Sequence, residues 1–136
     1  PILANDTGFW VDDEGLVEEP KRKALEGSGE QGLAEEEVYE KMQLFWQRIA
    51  RKYGGEVDAA WIESFALLHT DGSIALAHSR REVTLTDTVF GTPHINMPVR
   101  SLYICKITGK PVVEHTKEEE LMELQPITDA LVELLG

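Results

Sequence analysis

Asp71-Gly72 constrains this chain more than any other pair of residues in it. It separates two β-prone runs, Trp61 to His69 and Ile74 to Arg80. An Asp-Gly pair between such runs is the strongest short-range signal of a β-hairpin. With a two-residue loop, Thr70 opposes Ser73. The pairs His69/Ile74, Leu67/Leu76, Phe65/His78 and Glu63/Arg80 then share one face. The opposite face holds Leu68/Ala75, Ala66/Ala77 and Ser64/Ser79, which is small and smooth enough for a helix to approach closely.

The flanking sequence extends this hairpin into a sheet. Glu82 to Phe90 reads as a third strand, Val99 to Ile107 as a fourth and Val112 to His115 as a fifth. Upstream, Val38, Met42, Phe45, Ile49 and Tyr53 form one apolar stripe at helical spacing. The helix they predict runs over 33–53 and is the natural cover for the smooth face. Glu35, Glu36 and Glu37 sit in its first turns and Arg51 and Lys52 in its last, each opposite in sign to the helix dipole there. Gly54-Gly55 offers a left-handed stop. Near the C-terminus, Thr116 and Glu119 make a capping box. The helix that follows carries Leu121, Leu124, Leu131 and Leu135, with a break or kink expected at Pro126.

Before the first helix, Gly8-Phe9-Trp10-Val11 is a short β-prone run. Asn5-Asp6-Thr7-Gly8 is expected to break its connection to Ile2–Ala4. Leu16-Val17 can return after the turn at Asp12–Gly15. The polar stretch 18–32, with Pro20 and three glycines, reads as a linker. These elements give an α+β fold in two layers: an antiparallel meander of about five strands with an N-terminal amphipathic helix, a C-terminal helix kinked at proline and a short β-prone arm in front. The division expected is residues 1–32 as arm and acidic linker and 33–136 as a single α+β domain.

Charge is segregated along the 136 residues. Residues 1–46 carry twelve acidic and four basic side chains, 47–115 seven and eight, and 116–136 six and one, for a net of −12. That excess repels phosphate backbones, so nucleic acid is not expected as a direct ligand. It favours a basic protein partner. The single cysteine, Cys105, cannot form an internal disulfide, and a cytoplasmic setting is the default. No apolar run approaches the roughly 20 residues that span a bilayer. No basic-then-apolar leader opens the chain.

The residues that could carry chemistry are scattered. The histidines His69, His78, His94 and His115, with Cys105 and Glu63, lack the spacing of a metal site. No metal or other cofactor is expected. Cys105 lies mid-strand beside a carboxylate and reads as a small core residue. A pocket between sheet and helix would be lined by Trp61, Phe65, His78 and Tyr103, with a histidine as general base. The loop 91–98 exposes His94, Ile95, Asn96 and Met97 between two prolines and has the form of a recognition loop. Glu35, Glu36, Glu37 and Glu40 on one helix, and Glu118, Glu119, Glu120 and Glu123 on another, form two acidic patches.

Three functions fit. The first is a non-enzymatic acidic interaction protein, such as an inhibitor, immunity protein, chaperone or assembly factor, that binds a protein partner. The second is a small-molecule-binding domain or enzyme using the histidine-containing pocket. The third is a structural subunit of a larger assembly. An apolar sheet face that must be covered also makes a second copy of the chain a candidate partner.

Overall fold

A computed structural model describes residues 1–17, 20–26, 34–91 and 97–136. The first strand, β1 (Ile2–Val11), turns at Asp12–Glu14 into β2 (Gly15–Val17). A short helix, α1 (Pro20–Ala24), and a long one, α2 (Glu35–Lys52), follow. Next come β3 (Glu56–Leu68) and β4 (Ile74–Thr86), a 3-10 turn at Pro98–Leu102 and β5 (Tyr103–Cys105). A second 3-10 turn at Val112–Glu114 leads into α3 (Lys117–Leu135). The five strands among the described residues form one antiparallel sheet in the order β2-β1-β3-β4-β5. This is the α+β architecture expected.

Several strands differ from their sequence-based outlines. Asn5–Gly8 does not break β1, which pairs with β3 from Ile2↔Leu68 to Val11↔Ala59. A continuous partner strand outweighs the weak β propensity of Asn, Asp and Gly. The runs 74–80 and 82–90 are not two strands but one, β4, ending at Thr86. Residues 98–102 turn instead of extending, and 112–114 form a 3-10 turn where a fifth strand was expected. Ile104 bridges Pro111.

The hairpin register is the most consequential difference. Leu68 pairs with Ile74, and the loop is closed by hydrogen bonds from His69 N–H to Ser73 O (2.9 Å) and Gly72 N–H to His69 O (3.0 Å). Thr70, Asp71 and Gly72 thus form a three-residue loop, with Gly72 at φ 89° in the left-handed position that such loops require. Asp71 Oδ1 accepts from the Ser73 backbone (2.8 Å) and hydroxyl (2.6 Å), which fixes the turn. One residue of slip turns a strand over. Phe65 therefore opposes Ala77 and not His78, and Glu63 opposes Ser79 and not Arg80.

Both long helices lie on the same side of the sheet, over the odd-numbered residues of β3. At one end, α2 packs Trp46 and Ala50 against Phe9, Val11, Val57, Ala59, Val83 and Leu85. Phe9 is the centre of an edge-on aromatic cluster, 5.0 Å from Trp46 and 4.8 Å from Trp61 between ring centroids. At the other end, α3 packs Ala130 and Leu134 onto Phe65, Leu67 and Ala77. The smooth face expected under α2 is thus divided by the register, and α3 takes the hairpin end. The opposite face of the sheet leaves Ile74 and Leu76 about two-thirds exposed.

Helix ends follow the sequence. Gly54 and Gly55 have positive φ, and Gly55 N–H returns to Ala50 O at 2.9 Å. At α3 the Glu119 N–H donates to Thr116 Oγ1 (3.2 Å) and the Thr116 N–H to Glu119 Oε1 (3.1 Å). α3 stays helical through Pro126. Proline withdraws the donor that would serve the Met122 carbonyl, and Met122 lies on an exposed part of the helix.

Candidate functional site

Between the two hydrophobic clusters the sheet carries charge. Alternation along β3 brings Glu63 onto the helix-covered face between Trp61 and Phe65, and the neighbouring β4 register brings Arg81 opposite Trp61. From α3, Glu123 reaches toward the same point. Arg81 donates Nε to Glu63 Oε1 (3.0 Å) and Nη1 to Glu123 Oε1 (2.6 Å), and its Nη2 also meets Glu63. The side chains of Arg81, Glu63 and Glu123 are only 12%, 5% and 3% exposed. Ser79 donates its hydroxyl to Glu63 Oε2 at 2.7 Å. The Arg81 guanidinium also lies 5.7 Å from the Trp61 ring.

This group carries one negative charge in excess. Among the described residues His115 also approaches it, with Nδ1 3.6 Å from Glu123 Oε2 and Nε2 2.6 Å from Thr108 Oγ1. Burial would pull the Arg81 guanidinium down, but the Glu63 hydrogen bond and the charges of Glu63 and Glu123 outweigh it, and its pKa stands above the usual value. Burial, reinforced by the charge of Glu123, pushes the Tyr103 hydroxyl up to about 12. The nearby Trp61 N–H pulls slightly the other way, without forming a well-aligned hydrogen bond.

Beside these side chains a cleft of about 330 Å³ opens between the sheet, α3 and the 3-10 turn at Pro98–Leu102. Trp61, Phe65, Tyr103 and Ile127 give it an apolar wall. Glu63, Arg81, Arg100, Glu120 and Glu123 give it a charged one. Arg100 and Glu120 face each other across 4.0 Å, both partly exposed.

Three of the four pocket residues expected from sequence therefore meet here: Trp61, Phe65 and Tyr103. His78 does not. The register places it on the bare face of the sheet, where its Nδ1 lies 3.1 Å from Ser64 Oγ. Of the loop residues, His94, Ile95 and Asn96 fall outside the described residues, and Met97 lines the cleft. Glu35, Glu36, Glu37 and Glu40 are exposed on α2. The second acidic group is divided: Glu118 is exposed, Glu119 is held by the helix cap and Lys110, Glu120 faces Arg100, and Glu123 is buried against Arg81. Cys105 is buried in the core. Among the described residues no three candidate ligands come together as a metal cluster. No helix among them is long and apolar enough to cross a membrane.

No protein-family model and no curated protein sequence matches the chain. Solved structures do. The chain superposes on a nucleoside-triphosphatase / dITP/XTP pyrophosphatase from Mycobacterium abscessus with a TM-score of 0.68 at 12% identity, over 96% of this chain and 65% of that one. The Ham1 protein of Staphylococcus aureus gives 0.61 at 16% identity, over 98% and 65%. A HAM1 protein from Coxiella burnetii gives 0.62 at 13% identity, over 96% and 66%. The likeness is one of fold. The chain spans just under two-thirds of the length of each of these structures.

The comparison corrects the first functional expectation. A non-enzymatic acidic protein built to hold a basic protein partner does not fit a fold shared with an enzyme of nucleoside triphosphates. Of the carboxylates expected in the second patch, Glu123 is turned inward to Arg81 and is not presented to a partner.

Proposed function

We propose that this chain takes a nucleoside triphosphate into the cleft between β3, β4 and α3, as a small-molecule-binding domain or enzyme of the pyrophosphatase type. The observation that carries the reading is the composition of the cleft on this fold. It sets aromatic surface, suited to a planar base, beside guanidinium groups suited to a phosphate tail. The fold likeness supplies the substrate class, since one structural neighbour is named for dITP and XTP. Free nucleotide pools are intracellular, and a cytoplasmic setting belongs to the same proposal.

The pocket differs from the one expected in sequence. Its charged groups are Glu63, Arg81, Arg100, Glu120 and Glu123, and the histidine that approaches them among the described residues is His115, not His78. Purified chain incubated with dITP or XTP and Mg²⁺ tests the reading, with ATP as the comparison. Release of monophosphate and pyrophosphate supports the enzyme. Binding by calorimetry without turnover supports the binding domain. Absence of both binding and turnover for all three nucleotides overturns the proposal.

A further inference from the structure

The cleft holds two arginines, and their surroundings give them different work. Arg81 is committed. Its guanidinium is shared between Glu63 and Glu123, and it is almost out of water. A phosphate arriving there would have to separate a buried cation from two buried carboxylates and leave those charges desolvated and unpaired.

Arg100 is differently placed. It projects from the 3-10 turn at Pro98–Leu102, and the residues on either side of it are fixed. Val99, Ser101 and Leu102 are buried. Ser101 O accepts from Phe90 N–H at 2.7 Å, and Leu102 O from the Thr86 hydroxyl at 3.1 Å. The base of the side chain is therefore rigid. Its side chain is 30% exposed, lines the cleft and meets Glu120 at the outer limit of an ion pair. Such a pair between partly exposed groups holds weakly and yields to a stronger anion.

We infer that Arg100 is the residue that receives the phosphate oxygens of the nucleotide, and that Glu120 occupies it until they arrive. The inference rests on the nucleotide reading above and adds to it a phosphate contact and a competing carboxylate. The planar guanidinium can give two parallel N–H donors to one phosphate, which a single contact at 4.0 Å to Glu120 does not use. Arg81 is then a positioning residue, which holds α3 against the sheet and shapes the wall of the cleft.

The test measures dissociation constants for dITP and for deoxyinosine, which has the same base and sugar but no phosphate, on the wild type and three variants. Arg100→Gln should weaken dITP roughly tenfold to a hundredfold, the range of a lost charge-assisted hydrogen bond, and leave deoxyinosine within about twofold. Arg100→Lys should recover part of the loss. Glu120→Gln, which frees Arg100, should tighten dITP. The two changes thus move affinity in opposite directions, and a misfolded variant cannot produce the second. Equal loss for dITP and deoxyinosine in Arg100→Gln makes the residue merely structural and overturns the inference. So does unchanged dITP binding in that variant, while the nucleotide reading stands. A Glu120→Gln variant no tighter than wild type overturns the role of Glu120. If wild type neither binds nor turns over dITP, XTP or ATP, the nucleotide reading itself has failed.

Discussion

Arg81→Met keeps much of the length of the side chain and removes the cation that bridges Glu63 and Glu123. Both carboxylates are then left nearly dry, and only Glu63 retains a hydrogen-bond donor, the Ser79 hydroxyl. Breaking a buried pair by removing one partner typically costs about 3–5 kcal/mol, mostly because the charge left behind stays desolvated. Two carboxylates share this one guanidinium, so the upper part of that range is expected. In a domain of this size each kcal/mol moves the melting temperature by roughly 4 °C, so a fall of about 16–20 °C is predicted. Urea unfolding followed by tryptophan fluorescence measures it directly. The second arm is the triple variant Glu63→Gln, Arg81→Met, Glu123→Gln. With no charge left to desolvate, it should recover most of the loss, although it has lost more native groups. A loss below about 1 kcal/mol in Arg81→Met would mean that the group behaves as a surface ion pair. A triple variant no more stable than the single one would show that packing, not charge, holds α3 here. Either result refutes the reasoning.

Three smaller perturbations follow from the same geometry. The Lys110 hydrogen bond, helped by the Thr116 backbone, holds the Glu119 carboxyl down to about 2, so Lys110→Ala should raise its midpoint toward 4.5 in a carboxyl-carbon NMR titration. Because that pKa is depressed in the folded state, its stabilisation is present above about pH 4.5 and is lost as the pH falls toward 2. Tyr103 should show no phenolate absorbance until pH about 12, and Glu123→Gln should lower that midpoint by removing the charge that adds to burial. Gly72→Ala meets no atom within 4 Å but forces alanine to φ near 89°, so it should cost about 1 kcal/mol in urea unfolding without altering the cleft.

The elements with strong local signals were legible in the sequence. The stripe from Val38 to Tyr53, the acidic start and basic end of α2, the glycine stop and the Thr116–Glu119 box are all written within a turn or two of the chain. β1 was less legible, because Asn5–Gly8 has little strand propensity of its own and is held by pairing with Ile62–Phe65. The site was legible only in its aromatic residues. Trp61 and Phe65 share parity along β3, so any register brings them together. Arg81 and His78 lie on β4 and exchange faces when the loop changes from two residues to three. A signal for the longer loop was present in Ser73, which follows Asp71 at the spacing an aspartate side chain can cap. Counted with that loop, Arg81 becomes an inward-facing charge beside Glu63. Nothing local announces that Glu123, fourth in an apparently solvated acidic run, is the residue that meets it.

Two hydrophobic clusters on one face of one sheet, parted by a charged seam, do not have to open together. The cluster under α2 includes Phe9, Trp46, Val83, Leu85, Leu102 and Tyr103, whereas the one under α3 rests on Phe65, Leu67, Ala77, Ala130 and Leu134. The smaller cluster has the lower cost of opening, so amide protons of α3 should exchange through a partial unfolding that leaves the β3 and β4 residues near α2 protected. Such an event would withdraw Glu123 from Arg81 and take one wall from the cleft. The lifetime of the closed cleft is then set by the contacts of α3 alone, its Glu123–Arg81 pair and the alanine and leucine packing beyond it, and not by the stability of the fold as a whole.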